Sequence, residues 1–364
     1  MNPPSVFRFR FAPMACAIAA CAGTLTAEEP PPAPDFRKMI EHVHARLDGK
    51  IRGGYACEFL HGGRVAAHAE WGYAIAPGTP GHPPRKWTVF EPMQLASASK
   101  TITAAAVMKL RDEKGFSLDD PFWQHVRRII PRVTPDAKKI TIRHLLTHSG
   151  GISDKLPDAN TPAALEKVLL TPLAHPPGVE SHYANNNFYA LRLVIEQISG
   201  EPYTAYVQRH LLKPMGAGPM TTRSAPGEAA YGYDKPGTKT HGNPYGLDCT
   251  PWAGAAGWYA SAQALGKFLL GLRNHTVISE ASVKEMQEGC FGLDRGLPDC
   301  AKGGDWGWSD DEGSGSWHSA IVLFHDDVQA VLLINAESGN GPTDILFDAW
   351  KAGHPKPRLP PGAK

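Results

Sequence analysis

Ser97-Ala98-Ser99-Lys100-Thr101-Ile102-Thr103-Ala104-Ala105-Ala106-Val107-Met108-Lys109-Leu110 puts a hydroxyl and an amine three residues apart at the start of an apolar helical run. On a helix, positions i and i+3 share a face, about 5–6 Å apart between Cβ atoms. The Lys100 amine therefore reaches the Ser97 hydroxyl. Burial or a neighbouring cation lowers a lysine pKa, and the neutral amine can then take the serine proton. The first helical turn also directs unpaired N–H groups toward nearby negative charge. Alone, S-x-x-K is a common pattern, satisfied equally by a helix-start serine beside a solvated lysine. The rest of the chain decides between the two.

The chain has 364 residues, 42% hydrophobic and 20% charged, which is globular and long enough for a large core or two lobes. Its formal net charge of +1, with no basic stripe, argues against a nucleic-acid partner. Proline and glycine gather in stretches such as 76–81 and 236–246, which marks ordered surface loops. There is no internal repeat.

The N-terminus reads as an export signal. Arg8 and Arg10 precede a mostly apolar segment, 11–20, too short to span a membrane. Two processing sites compete. Leu25-Thr26-Ala27 suits an ordinary signal peptidase and would give a signal over 1–27. Ile18-Ala19-Ala20-Cys21 resembles a bacterial lipoprotein box and would leave Cys21 acylated, the one route to membrane anchoring. Pro13 interrupts the apolar segment and favours plain secretion, to the periplasm or outside the cell. Residues 28–35 form a proline-rich spacer. Four cysteines remain, Cys57, Cys249, Cys290 and Cys300, and an oxidising compartment permits disulfides. The short loop between Cys290 and Cys300 favours that pair, leaving Cys57 with Cys249. No C-x-x-C, H-E-x-x-H or phosphate-loop spacing is present, so no metal or organic cofactor is implied.

Phe36, Met39, Ile40, Val43 and Leu47 recur at helical period. Strand-like runs follow at 54–60 and 64–73, with His61-Gly62-Gly63 as the hairpin turn. From about 115 to 246 the chain reads as helices and loops. One helix covers 188–199 and stops at Gly200; another covers 262–273. Apolar, β-branched runs return at 316–324 and 328–336, and a helix closes the chain at 343–352. Strands at both ends around a helical middle predict an α+β sandwich. An antiparallel sheet built from both termini is flanked by helices, and a mostly helical lobe is inserted at about 115–250. The Ser97 helix then lies where the lobes meet, a usual place for a site.

Four further segments join the S-x-x-K helix in order. They are Gly115-Phe116-Ser117-Leu118-Asp119-Asp120-Pro121; Ile140-Thr141-Ile142-Arg143-His144-Leu145-Leu146-Thr147-His148-Ser149-Gly150-Gly151-Ile152; Pro177-Gly178 followed by Tyr183-Ala184-Asn185; and Gly254-Ala255-Ala256-Gly257-Trp258-Tyr259-Ala260-Ser261. Together they resemble the serine β-lactamase and penicillin-binding-protein superfamily, in its class C β-lactamase-like branch. That branch also holds esterases, D-stereospecific aminopeptidases and D-alanyl-D-alanine carboxypeptidases. The resemblance runs over 36–352 and leaves 353–364 as a flexible tail. It implies a β-lactamase/transpeptidase-like fold, with Ser97 as acylated nucleophile and Lys100 assisting its deprotonation. Tyr183 would be the phenol or phenolate that relays a proton, with its pKa brought below about 10 by two cations. Asn185 would hold Lys100 and the substrate amide or ester. His148 reads as a buried, architectural histidine.

One motif departs. The family carries a basic residue, a small residue and glycine on the strand edging the site, expected just before 316–324. Aligning Gly315 with the motif glycine puts Gly313 where lysine or histidine belongs, with His318 nearby. That loss would weaken recognition of carboxylate-bearing substrates such as penicillins. Gly315 would still let substrate approach, and the Ser316 amide would join that of Ser97 in an oxyanion hole. The expected function is an exported serine hydrolase acting through a Ser-Lys-Tyr acyl-enzyme on an ester or amide, of esterase or D-stereospecific peptidase/amidase type, with weak or no β-lactamase activity. The alternative is a nearly inactive ligand-binding protein using the same cleft.

Overall fold

The computed structural model describes residues 33–235, 248–294, 299–310, 313–323 and 326–354. The export signal, most of the spacer, the tail beyond 354 and the centre of the 231–251 loop lie outside the described residues.

The first helix, α1 (Phe36–Leu47), is capped by Asp35, whose side chain accepts from Lys38 N–H. Its apolar period buries Met39, Val43 and Leu47. The hairpin β1 (Gly54–His61) and β2 (Arg64–Ile75) follows, with Gly62 and Gly63 at positive φ in the turn. Short β3 (Arg85–Lys86) lies beyond β2. Near the C-terminus come β7 (Cys300–Asp310), β8 (Gly313–Leu323) and β9 (Val328–Ile334), then α10 (Pro342–Gly353). The sheet order is β3-β2-β1-β9-β8-β7, with antiparallel pairing between the two ends of the chain through β1 and β9.

Every residue of β9 is buried. Val328, Ala330, Leu332 and Ile334 face α1 and α10; Val331 and Leu333 face the other way, into the larger core. A strand covered on both faces needs no polar alternation, which explains its unbroken apolar run.

Between β3 and β7 runs the helical lobe. Its axis is α2 (Ser99–Lys114), buried on nearly every side and ended by Gly115 at φ 71. Around it lie α3 (Trp123–Val126), α4 (Ile142–Leu146), α5 (Pro162–Leu169), α6 (Asn185–Ser199) and α7 (Tyr203–Val207). A small sheet joins β4 (Met93–Gln94), β5 (Met220–Thr221) and β6 (Tyr259–Ala260), with β6 central. Helix α8 (Ala262–Arg273) covers the sheet opposite α1, and α9 (Glu280–Glu288) packs on α2.

Two expectations change. Strand β7 has no counterpart in the sequence reading, because its run of glycine, lysine and aspartate has low strand propensity. Pairing with β8 along its whole length forms it. Among the described residues, the four cysteines are free thiols. Cys290 and Cys300 sulfurs lie 3.7 Å apart, close but unbonded. Cys57 and Cys249 are buried in separate apolar clusters, so the second pairing is overturned. Among the described residues, no helix is long and apolar enough to cross a membrane.

Candidate active site

Ser97 sits in a 3-10 turn, Ala96–Ala98, that runs into α2. The turn is held in an uncommon conformation: Ala96 has φ 46. Gln94 braces it, accepting Ala96 N–H at Oε1 and donating Nε2 to Ala256 O at 2.5 Å. Leu95 N–H donates to Trp258 O at 2.8 Å, and Ser319 Oγ donates to Leu95 O at 2.6 Å. Ser97 is therefore pinned to the 254–261 segment and to the sheet.

Around Ser97 three side chains converge. Ser97 Oγ lies 2.6 Å from Tyr183 Oη and 3.2 Å from Lys100 Nζ. Lys100 Nζ also donates to Asn185 Oδ1 at 2.7 Å and to Ala255 O at 2.9 Å. A neutral amine has two N–H donors and one lone pair. The two carbonyl-type oxygens take both donors, and the lone pair is left for the Ser97 proton. Lys100 is fully buried, and burial first, then the nearby Lys302 charge, pushes its pKa well below the ordinary lysine value. Asn185 is oriented in turn: its Nδ2 donates to Asp158 Oδ2 at 3.2 Å, and Tyr189 Oη donates to the same oxygen at 3.1 Å. That fixes which end of the amide faces Lys100.

Tyr183 stands on the loop entering α6. The residue is 42% exposed, but its hydroxyl points inward onto Ser97. Burial raises its pKa above the ordinary phenol value, and the carboxylates of Asp294, Asp158 and Asp305 add to the rise, against the Ser97 hydrogen bond. The expected drop is thus reversed. Tyr183 rests as a phenol, and Lys100 is the group whose pKa falls. The His148 ring packs 4.5 Å from that of Tyr183. Its Nδ1 accepts from Ala184 N–H and Asn187 Nδ2, each at 3.3 Å, and burial keeps it neutral. The architectural reading of His148 fits these contacts.

The third motif lies elsewhere than expected. The strand edging the site is β7, not β8, and it carries Lys302-Gly303-Gly304. Lys302 Nζ stands 4.7 Å from the Tyr183 ring centre, as does Lys100 Nζ. A Cβ on Gly304 would come 2.3 Å from Leu95 O and 2.9 Å from Ala98 N, so only glycine lets β7 pass this close to the Ala96–Ala98 turn. A cation therefore stands at the site after all, one strand earlier than Gly313, as Lys302. Gly313, Gly315 and Ser316 belong to β8, behind that edge. Ser316 N–H donates to Tyr233 O at 3.2 Å, which removes it from the oxyanion role. His318 pairs with Asp305 across the strands while Ser319 pairs with Gly304, so it lies on the face away from Ser97. It binds Asp305 Oδ1 at 2.6 Å and Ser316 Oγ at 3.0 Å. Lysine followed by two glycines after Ala301 was the available signal, masked by the low strand propensity around it.

A sequence-family profile for Beta-lactamase matches residues 36–352. "Putative penicillin-binding protein PbpX" of Bacillus subtilis (strain 168) is 32% identical over 198 residues, covering 53% of this chain and 49% of that protein. The chain thus spans about half the length of this curated relative. D-amino acid amidase from Ochrobactrum anthropi SV3 superposes with a TM-score of 0.66 at 17% identity, over 86% of this chain and 99% of that one. EstCE1, a hydrolase with promiscuous acyltransferase activity, superposes at 0.64 and 18% identity, over 88% and 99%. These two likenesses are of fold.

Proposed function

The chain belongs to the Beta-lactamase family, and from that premise we propose that it is a serine hydrolase that cleaves an ester or amide through an acyl-enzyme on Ser97. One observation carries the reading: a buried Lys100, its pKa pushed down by that burial, and the Tyr183 hydroxyl both lie within hydrogen-bond reach of Ser97 Oγ. The amidase and esterase among its structural neighbours fit the same chemistry.

Lys100 takes the Ser97 proton as Oγ attacks the carbonyl carbon. The carbonyl π electrons move onto oxygen, which needs two donors. Ser97 N–H is one. The other is the Asp305 amide on β7. Gly303 N–H points off the free edge of that strand, donating to Asp294 Oδ2 at 3.3 Å, and alternation puts Asp305 N–H in the same row. As the intermediate collapses, Tyr183 Oη gives its proton to the leaving oxygen or nitrogen and is resupplied from Lys100. Water then attacks the ester of Ser97 with the same groups in reverse, releasing the acid. The export reading of residues 1–27, and with it a periplasmic or extracellular site of action, is part of the proposal and rests on sequence. Lys302 removes the original reason to expect weak β-lactam recognition.

The test is to incubate the protein separately with a fluorophosphonate and a penicillin and to map added mass by peptide mass spectrometry. The expected result is a fluorophosphonate adduct on Ser97 that Ser97→Ala abolishes. No adduct on Ser97 from either reagent would discard the hydrolase reading in favour of a ligand-binding protein.

A further inference from the structure

Lys302 does not face the site uncompensated. Its side chain is 4% exposed, and Nζ donates to Asp294 Oδ1 at 2.6 Å. The other carboxylate oxygen, Oδ2, accepts Gly303 N–H. Backbone pairing with Ala301 fixes Asp294 against the free edge of β7, its own N–H donating to Ala301 O at 2.5 Å. A carboxylate shared between an ammonium and an adjacent edge amide is bound as a carboxylate ligand would be bound. Asp294 thus fills, from within the chain, the place where Lys302 would otherwise receive a substrate's negative charge. Its side chain is 39% exposed, so its charge remains open to an incoming molecule. Asp158 and Asp305 act on Tyr183 with the same sign as Asp294, while burial disfavours the positive charge of Lys100.

From this we infer that Asp294 determines specificity. The Ser97 site takes acyl donors whose acyl group carries an ammonium or no charge, and discriminates against those whose acyl group carries a carboxylate. A carboxylate must displace Asp294 from Lys302 or sit against it, whereas an ammonium gains a partner. The inference rests on the acyl-enzyme reading above and narrows its substrate class. It also restores poor recognition of carboxylates by a different route: the cation is present and already occupied.

Three p-nitrophenyl esters test it, with hexanoyl, 6-aminohexanoyl and adipoyl acyl groups, which end in methyl, ammonium and carboxylate and are too long for rapid self-cyclisation. The readout is kcat/KM for each with the wild-type chain, Asp294→Asn and Asp294→Glu, with thermal melting of each variant alongside. The wild type should prefer the ammonium ester over the carboxylate ester by about tenfold or more after correction for spontaneous hydrolysis. Asp294→Asn should bring that ratio to about one or below, and Asp294→Glu should restore it in part. A wild type that takes the carboxylate ester as well as the ammonium ester overturns the inference while leaving the hydrolase reading intact. So does an unchanged ratio in a folded Asp294→Asn. If no ester is turned over and no Ser97 adduct forms, the acyl-enzyme reading fails and this inference with it.

Discussion

Lys100 illustrates how one side chain's position sets its chemistry. In water its amine would be charged and useless as a base; fully buried beside Lys302, it is held toward the neutral form. Only the neutral form accepts the Ser97 proton, so kcat/KM for an ester should rise with pH as Lys100 deprotonates. This acid-side limb should fall below the ordinary lysine range. Lys100→Ala should lower kcat by about 10²–10⁴-fold and erase the limb. A pH–rate profile of both proteins checks this, and a limb that survives in Lys100→Ala would belong to another group. At this scale the sequence was informative for Ser97, Lys100, Tyr183 and Asn185, because their spacing within short segments is local. Lys302 and Asp294 were not legible. Their meaning depends on a strand edge that forms only by long-range pairing.

At the scale of elements, the decisive contact is between β7 and the Ala96–Ala98 turn. Gly304 permits it: any Cβ there would strike Leu95 O, Ala98 N and Ser319 Oγ. Gly304→Val should therefore push the edge strand away from Ser97. We expect kcat/KM to fall by about 100-fold, with a stability loss of roughly 1–3 kcal/mol. Gly307→Ala on the same strand is the comparison, since the nearest atom to its Cβ would be Gly315 O at 3.6 Å. Activity assays and melting curves of both variants decide the matter; equal behaviour would mean that the close approach at 304 is not what positions the site. The helices α1 and α8 follow the apolar period of the chain closely, and the hairpin of β1 and β2 forms about its Gly62-Gly63 turn as the sequence predicts. Helix α6 begins earlier than the periodicity suggests, at Asn185 rather than 188, because its first turn buries Asn186 and Asn187 instead of apolar residues.

Across the whole molecule, the central strands β1 and β9 are buried on both faces, and that has a cost at Glu58. This residue lies on β1 against α8, 2% exposed, with Oε2 lacking a hydrogen-bond partner among the described residues. Burial raises its pKa to about 7. The folded state then binds a proton that the unfolded chain has released, so stability falls as pH rises from the ordinary glutamate value toward and past 7. The penalty at alkaline pH is up to about 3 kcal/mol. Glu58→Gln should raise the denaturation midpoint at pH 8 and change it little at pH 4, read by urea unfolding. A larger gain at pH 4 would reverse the assignment. By itself, the sequence determined the α+β architecture, the helical insertion and the set of Ser97, Lys100, Tyr183 and Asn185, which the fold brings together. Those features come from apolar periodicity and from residues close together along the chain. Tertiary structure alone decided which strand edges the site, that a lysine stands on it, and that an aspartate already holds that lysine. These rest on backbone pairing between β7 and β8 and on close packing at Gly304, where local propensity and three-dimensional contact disagree and contact prevails.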